Sequence, residues 1–165
     1  MIANILILAL VTLQRVAELG LSNHNTNKLL AQGGREHSPG HYPLIVMVHL
    51  AWLSSMWLFA LFRPIDRFWL AMFVFIEIAR IWVMVSLGSR WTTRIIILPG
   101  APLVSRGPYR WVNHPNYWVV TGEIAVLPLI FGLWQVALIF TLLNAVLLSI
   151  RIREENRALG RNQRG

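Results

Sequence analysis

The sequence predicts an all-α integral membrane protein, a bundle of about five transmembrane helices that ends in a helical hairpin. Three observations favour this fold class. Hydrophobic residues make up 56% of the 165 residues and charged residues only 13%, against about 25% in an ordinary soluble domain. The apolar residues form runs close to the ~20 residues that cross a bilayer. Arginine, glycine or proline bounds most of these runs. We expect one domain over residues 1–165, with its polar, functional part at residues 88–160.

The first two apolar runs are predicted to span the membrane and to be joined by a polar loop. The runs extend from Ile2 to about Leu19 and from Pro43 to about Phe62, with the loop at Ser22–His41. Within the loop, Asn27–Gln32 is expected to form a short interfacial helix ended by two glycines. No carboxylate partner stands out for the loop's three histidines, so a solvated or headgroup-level loop is expected rather than a metal site.

The remaining three runs complete the predicted bundle. Phe68 to about Leu87 is the third span, and Trp118 to about Phe131 is a short fourth span. A tight turn at Gly132 leads into the fifth span, Leu133 to about Ile150, so the last two spans form a hairpin. The fifth helix is expected to continue beyond the apolar run as a polar amphipathic segment, Arg151–Leu159.

Charged residues inside the runs need partners, because an unpaired charge in a bilayer is expensive. Arg15 and Glu18 are three residues apart and share a helix face, either as an interfacial ion pair or facing a polar cavity. Glu77 and Arg80 have the same spacing, as a pair between helices or as a polar face near the active site. In the functional interpretation, Arg80 and Glu123 contact the substrate.

Positive charge is distributed unequally between the two sides of the predicted bundle. With five spans, the Ser22–His41 loop, the Gly88–Tyr117 connection and the C-terminus share one side. That side holds Lys28, Arg35, Arg90, Arg94, Arg106, Arg110, Arg151, Arg153, Arg157, Arg161 and Arg164, and the other side holds Arg63 and Arg67. The positive-inside rule therefore places the long connection in the cytoplasm. Within it, Ile95–Leu98 is too short to span and is expected to be extended or re-entrant.

The most polar, turn-rich stretch is Val104–Tyr117. Its Gly107-Pro108 and His114-Pro115 pairs break helical structure, since the residue before proline is pushed out of the helical region. The hairpin brings this stretch next to Arg151 and Glu155, which are four residues apart and share a helix face, with Glu154 flanking them. Aromatic rings there suit a purine or a sulfonium, and an arginine suits an anionic or phenolate oxygen. The alternative is a headgroup-facing rim of arginines and aromatic residues.

The same residues resemble the isoprenylcysteine carboxyl methyltransferase family, in the C-terminal third of the chain. The resemblance lies in Leu103–Tyr109, in His114–Tyr117, and in Arg151 followed by Glu155 and Leu159. Members of this family are integral membrane enzymes that use S-adenosylmethionine. Gln14–Leu19 and Gly40–Pro43 resemble a short bacterial branch associated with type III polyketide synthases, which implies O-methylation of an alkylpyrone or alkylresorcinol in a bacterial inner membrane.

The resemblance implies a role for each matching residue. The implied S-adenosylmethionine contacts are Val104, Gly107, Tyr109, His114, Pro115 and Tyr117, with Glu155 closing the pocket. Arg151 is implied to sit beside the methyl-accepting group, and Arg151 and Glu154 are the predicted catalytic residues. Asn113 stands where the family usually has arginine, and the family's aromatic C-terminal segment does not follow Leu159. These differences favour a lipid phenol or enol over a prenylcysteine carboxylate.

Other functions are less well supported by the sequence. The net charge of +8 is explained by arginines at the ends of apolar runs, so no nucleic-acid partner is expected. The absence of cysteine excludes thiolate metal sites and a cysteine nucleophile. A membrane reductase of related fold and a non-enzymatic scaffold or transporter remain as alternatives, although no glycine-rich dinucleotide fingerprint is present. The predicted partners are the lipid bilayer, a lipophilic acceptor and a polyketide synthase that supplies it.

Overall fold

The computed structural model describes residues 1–158, apart from the side chain of His41, so Leu159 lies outside the described residues. Five α-helices dominate the described chain: α1 (Ile2–Ala31), α2 (Tyr42–Phe59), α3 (Arg67–Leu87), α4 (Pro115–Ile130) and α5 (Trp134–Ala158). Two short strands, β1 (Arg35–Glu36) and β2 (Ile96–Ile97), pair antiparallel. The all-α membrane bundle predicted from the apolar runs is confirmed.

Four of the five helices, α1, α2, α3 and α5, are long and apolar enough to cross a membrane. The fourth predicted span, α4, has 16 residues, which corresponds to about 24 Å at 1.5 Å per residue. It forms the predicted hairpin with α5, and the turn between them contains Gly132 at φ +66°.

The boundary predicted for the first span is wrong. Helix α1 does not end near Leu19 but has 30 residues and extends to Ala31. The first half of the predicted Ser22–His41 loop, with most of the predicted separate helix, therefore belongs to α1. Tertiary contacts explain the extension. Asn25 Nδ2 donates to Trp91 O at 2.8 Å, and Ser22 Oγ accepts from Thr93 N at 2.8 Å. These bonds satisfy polar side chains that the sequence alone assigns to a loop.

The ends of the helices meet in the order that an up-and-down bundle requires. At one end, Asn4 Nδ2 donates to the carbonyls of Ala60 and Arg63, and the backbone of Asp66 bonds to Ile130. The main buried apolar cluster, around Leu8, Trp52, Met56, Leu127 and Phe131, is assembled from the helices that meet at this end. The other end gathers the long Gly88–Tyr117 connection and the end of α5, and it is called the polar end below.

Candidate functional site at the polar end

The connection that forms the polar end is held against α3 by a close approach at one glycine. Gly107 has φ +57°, and a Cβ added there would lie 2.1 Å from Ser86 Oγ. Arg106 Nε donates to Ser86 O at 2.8 Å beside it. A side chain at position 107 would therefore push the connection away from α3. The close packing of the connection on α3 thus requires glycine at this position.

The second breakpoint starts α4. His114 has φ −132° and ψ 57°, and Pro115 occupies the first turn of the helix, where the missing amide hydrogen costs nothing. The chain turns from the connection into α4 at this point, so the side chains of His114 and Tyr117 face the end of α5. The prediction that the His-Pro pair breaks helical structure is confirmed.

The β1–β2 pair and the loop after it cover this region. Arg94 Nη1 lies 3.0 Å from Glu36 Oε1, and His37 N donates to Ile95 O at 2.9 Å. Ser38 Oγ donates to Glu154 Oε2 at 2.6 Å, which ties the loop to α5. The extended conformation predicted around Ile95–Leu98 is confirmed as strand β2.

A cavity of about 130 Å³, the polar cavity, lies between the connection and α5. Tyr109, His114, Tyr117, Arg151 and Glu155 line it. The rest of its wall is Leu87, Arg90, Trp91, Thr92, Arg94, Ile95, Ile96, Ile97, Asn113 and Asn116. The polar segment after the His-Pro pair and the last helix thus meet around one cavity.

Hydrogen bonds connect the charged groups of the polar cavity through one tyrosine. Arg151 Nε donates to Tyr117 Oη at 2.9 Å, and Tyr117 Oη in turn donates to Glu155 Oε2. The rings of His114 and Tyr117 are stacked, with centroids 5.3 Å apart and planes 15° apart. Among the described residues, the Nη1 and Nη2 atoms of Arg151 have no hydrogen-bond partner, so they are available to a ligand.

Tyr109 is held as a neutral phenol at this site. Burial raises the pKa of Tyr109 well above its ordinary value, and the negative charge of Glu155 raises it further. The side chain therefore offers an aromatic ring and a hydroxyl donor to the cavity.

A second cavity, the apolar cavity, adjoins the first and has a volume of about 160 Å³. The two cavities share Trp91, Thr92, Asn116, Tyr117 and Arg151. Most of the remaining wall comes from α1, α2 and α5, and it is mainly aliphatic and aromatic: Leu19, Tyr42, Ile45, Val46, Leu50, Trp52, Leu53, Val120, Leu147 and Leu148. Leu19 and Leu50 are also 42% and 59% exposed on the outer surface. The apolar cavity therefore opens towards lipid between α1 and α2.

Deeper in the bundle, an ion cluster joins α1, α3 and α4. It consists of Arg15, Glu18, Glu77, Arg80 and Glu123. Arg80 binds Glu18 through Nε and Nη2, both at 2.5 Å, and Glu123 through Nη1 at 2.7 Å. Arg15 lies 2.9 Å from Glu18 and 3.0 Å from Glu123. Arg15 and Glu18 thus form an ion pair within this cluster, and both residues also line the apolar cavity.

Some of the site residues predicted from the sequence line the polar cavity, and others do not. Tyr109, His114, Tyr117, Arg151 and Glu155 meet in the polar cavity. Val104, Gly107 and Pro115 are not among the described residues that line it. Glu154 contacts Ser38 and Arg157 and is likewise not in the described lining. Arg80 lines the apolar cavity, whereas Glu123 is buried in the ion cluster without lining either cavity.

Several lining residues were not predicted. Trp91, Thr92 and Asn116 contribute to both cavities, and His49 and Asn144 contribute to the apolar cavity. The signal for His49 was its polar side chain within an apolar run. Trp91 carries no comparable signal, because one tryptophan among 8 in a membrane protein is ordinary.

Residues 69–161 match the sequence profile of the isoprenylcysteine carboxyl methyltransferase (ICMT) family. The chain belongs to this family. The match starts in α3 and includes both walls of the polar cavity, so the assignment rests on the part of the chain that builds the site. Members of the ICMT family are membrane methyltransferases that use S-adenosylmethionine as methyl donor. Together with the four long apolar helices, the assignment makes this an integral membrane protein.

Two bacterial relatives align over most of the chain. The uncharacterized protein YpbQ of Bacillus subtilis is 38% identical over 159 residues, covering 93% of this chain and 95% of the relative. An uncharacterized protein of Haemophilus influenzae is 24% identical over 151 residues, covering 88% of each chain. No solved structure matches the chain significantly. Both alignments cover 88% or more of this chain, so the similarity to these relatives extends beyond the family segment into residues 1–68.

Proposed function

We propose that this protein is a membrane O-methyltransferase that transfers the methyl group of S-adenosylmethionine to a hydroxyl group on a lipid-like acceptor. The observation that carries the proposal is the junction of two cavities of opposite polarity at Arg151 and Tyr117. A charged, water-soluble donor and an apolar acceptor need separate compartments that meet at the reacting atoms. The family assignment supports methyl transfer as the reaction. The polar cavity suits the donor, and the apolar cavity suits the acceptor.

The residues of the polar cavity fit the donor's chemistry. Glu155 supplies a carboxylate for an ammonium group or ribose hydroxyls, and Asn113 and Asn116 supply amides. Tyr109, His114, Tyr117 and Trp91 supply aromatic rings for the purine and for the positively charged sulfonium. When bound, S-adenosylmethionine supplies an electrophilic methyl group. Glu155 and the aromatic rings are the residues that hold it.

The apolar cavity fits a lipid-like acceptor with one polar end. Its wall is mainly hydrocarbon, and the exposed Leu19 and Leu50 line its opening towards the membrane. An acceptor can therefore keep its chain among lipid tails while its polar end reaches Arg151.

A carboxylate acceptor would need several cationic partners. Arg80 already binds Glu18 and Glu123, and Arg15 lies against the same two carboxylates, so Arg151 is the available cation at the junction. A single available arginine is therefore better matched to a hydroxyl acceptor of the alkylpyrone or alkylresorcinol type than to a carboxylate.

Arg151 and Tyr117 orient the acceptor for transfer. The Nη atoms of Arg151 can donate hydrogen bonds to the acceptor oxygen while Nε stays bonded to Tyr117 Oη, which Glu155 also binds. This arrangement links the positions of donor and acceptor through one rigid contact. Such positioning in a site shielded from water can supply about 7–11 kcal/mol of rate acceleration.

The polar end is proposed to face the cytoplasm of a bacterial inner membrane. Residues 1–158 carry nine lysine and arginine side chains in the segments at that end, from Lys28 to Arg157, and two at the opposite end, Arg63 and Arg67. The positive-inside rule favours this orientation, and cytosolic S-adenosylmethionine would reach the polar cavity directly. A polyketide synthase on the same side is the proposed source of the acceptor.

The proposal is tested by binding and transfer measurements on the purified protein in detergent. S-adenosylhomocysteine should raise the unfolding temperature, whereas NADPH and buffer alone should not. Radiolabelled methyl transfer to a bacterial lipid extract should then yield an alkali-stable ether product. Absence of any affinity for S-adenosylhomocysteine would overturn the proposal. An alkali-labile product would instead identify a carboxylate ester and refute the hydroxyl acceptor.

A further inference from the structure

One polar group in the apolar cavity without an assigned role is the imidazole of His49 on α2. It is largely shielded from solvent and lines the same cavity as Arg151. Trp52, one turn further along α2, donates to Ile124 O of α4 at 3.2 Å, which fixes the face of α2 that points into the bundle. The imidazole therefore faces the space that the acceptor would occupy.

The tautomer of His49 follows from the hydrogen bond at Nδ1. Nδ1 lies 2.8 Å from the carbonyl oxygen of Ile45. Because a carbonyl only accepts, Nδ1 carries the hydrogen in this contact. In the neutral imidazole, Nε2 then has a lone pair and no hydrogen. The ring thus presents a hydrogen-bond acceptor to the cavity.

The apolar cavity brings the imidazole near the charged residues of the bundle. Arg15, Glu18, Arg80, Tyr42, Tyr117 and Arg151 line the same cavity. Within the ion cluster, three carboxylates face two guanidinium groups, so a proton taken up briefly at His49 adds a charge that the cluster's excess carboxylate offsets.

The depth of His49 matches an oxygen held near Arg151. Tyr117, whose hydroxyl bonds to Arg151, is seven residues from Ile124 on α4, and Ile124 marks the level of Trp52. His49 is three residues from Trp52 towards the polar end, which is about 4.5 Å of helix, against about 10 Å from Ile124 to Tyr117. His49 therefore lies about 6 Å, or about one helical turn, below Tyr117, on the acceptor's side of the junction.

We propose that His49 Nε2 accepts the hydroxyl proton of a phenol-like lipid acceptor during methyl transfer. This inference rests on the proposed function. The acceptor oxygen forms its bond to the methyl carbon, the methyl–sulfur bond breaks with its electron pair going to sulfur, and the hydroxyl proton moves to Nε2. His49 releases the proton afterwards. Arg151 binds the oxygen from the other side, so one residue orients the nucleophile and the other removes its proton.

The first test is a binding measurement that needs no turnover. In the presence of S-adenosylhomocysteine, wild-type protein should bind nonylphenol about tenfold more tightly than its methyl ether, the scale of one net hydrogen bond. His49→Gln keeps an amide oxygen as acceptor and should preserve this preference. His49→Phe keeps the ring shape without an acceptor and should bind both compounds equally. Equal binding of phenol and ether by the wild type would overturn the proposal.

The second test separates proton transfer from a structural role. With nonylphenol, His49→Gln should lower turnover about 100-fold, the usual scale of general-base catalysis. With a nitro-substituted nonylphenol, which is ionised at neutral pH, the loss should be about threefold or less, because no proton has to move. Equal losses for the two acceptors would show that His49 is structural and refute the proposal.

Controls keep this inference distinct from the proposed function. His24→Gln changes an exposed histidine of α1 outside both cavities and should behave as wild type. Both His49 variants should keep the thermal shift with S-adenosylhomocysteine, since they do not line the polar cavity. Wild-type protein that binds S-adenosylhomocysteine but neither nonylphenol nor its ether overturns the inference alone. Lack of S-adenosylhomocysteine binding by the wild type overturns the proposed function.

Discussion

The ion cluster and the polar cavity contain the same residue types, arginine and glutamate, in two different electrostatic states. In the cluster, Nε, Nη1 and Nη2 of Arg80 are each bound to a carboxylate oxygen of Glu18 or Glu123. In the polar cavity, Arg151 is similarly buried but bonds through Nε to the neutral hydroxyl of Tyr117. Glu155 bonds to the same hydroxyl instead of to the arginine. The difference shows which arginine holds helices together and which one can bind a ligand.

Removing Arg80 should produce the largest effect, on stability. Arg80→Met leaves Glu18 and Glu123 buried without their main partner, and breaking a buried pair from one side costs about 3–5 kcal/mol. Thermal unfolding in detergent should show a strongly lowered midpoint. Arg67→Met, at the exposed start of the same helix, is the matched control. An unchanged midpoint for Arg80→Met would mean that the cluster does not stabilise the bundle.

Removing Arg151 should instead affect activity. Arg151→Ala takes away the donors aimed at the acceptor oxygen, which should reduce turnover about 100- to 1,000-fold. The unfolding midpoint should change little, because the only hydrogen bond lost within the described chain is to a neutral hydroxyl.

Arg153→Ala is the control for this change, since Arg153 is exposed two residues further along α5. Radiolabelled transfer and thermal unfolding, measured on both variants, check the prediction. Near-normal turnover by Arg151→Ala would remove Arg151 from the site.

The two adjacent glutamates of α5, Glu154 and Glu155, should differ in their effect on binding of S-adenosylhomocysteine. Glu155→Gln should weaken binding of S-adenosylhomocysteine about tenfold or more, because a charge-assisted hydrogen bond contributes about 1.5–3 kcal/mol. Glu154→Gln should weaken it about threefold or less, because Glu154 bonds to Ser38 and Arg157 and is not in the described lining of the polar cavity. Calorimetric titration measures both constants. A larger loss for Glu154 would support its predicted catalytic role and contradict the placement seen here.

The smallest expected effect concerns Tyr109 at high pH. Because burial and Glu155 raise the pKa of Tyr109, the folded protein holds the phenol proton more tightly than the unfolded chain does. The resulting stability is fully present below the ordinary tyrosine pKa of about 10 and is lost as pH rises above it. The midpoint difference between wild type and Tyr109→Phe should therefore change by about 3 °C between pH 8 and pH 11. A difference that stays constant over this range would indicate that Tyr109 is not shielded.

Much of the site followed from the sequence because its signals are local. Two X-Pro pairs mark breaks in the connection, the second of them at the turn into α4, and a four-residue spacing puts Arg151 and Glu155 on one helix face. The hairpin between them is short, so the two segments had to meet. These are constraints of backbone geometry and helical period, and both act within the C-terminal third of the chain.

The rest depends on contacts between distant segments. The extension of α1 to Ala31 requires hydrogen-bond partners at Trp91 and Thr93. No sequence pattern within α1 predicts these contacts. The pairing of Arg80 with Glu18, rather than with Glu77 three residues away, is likewise decided by packing between helices. The apolar cavity has no motif at all, because its wall uses the same leucines, isoleucines and valines that face the lipid.

The short length of α4 sets the depth of the reaction. Its far end is level with the start of α3, through the bond from Asp66 to Ile130. About 24 Å of helix cannot reach across a hydrocarbon layer of about 30 Å. With the start of α3 at the opposite boundary of that layer, we expect His114 and Tyr117 to lie several ångströms beneath the headgroups. A lipophilic acceptor would then be methylated without leaving its leaflet, and the water-soluble donor would have to move below the headgroups to reach it.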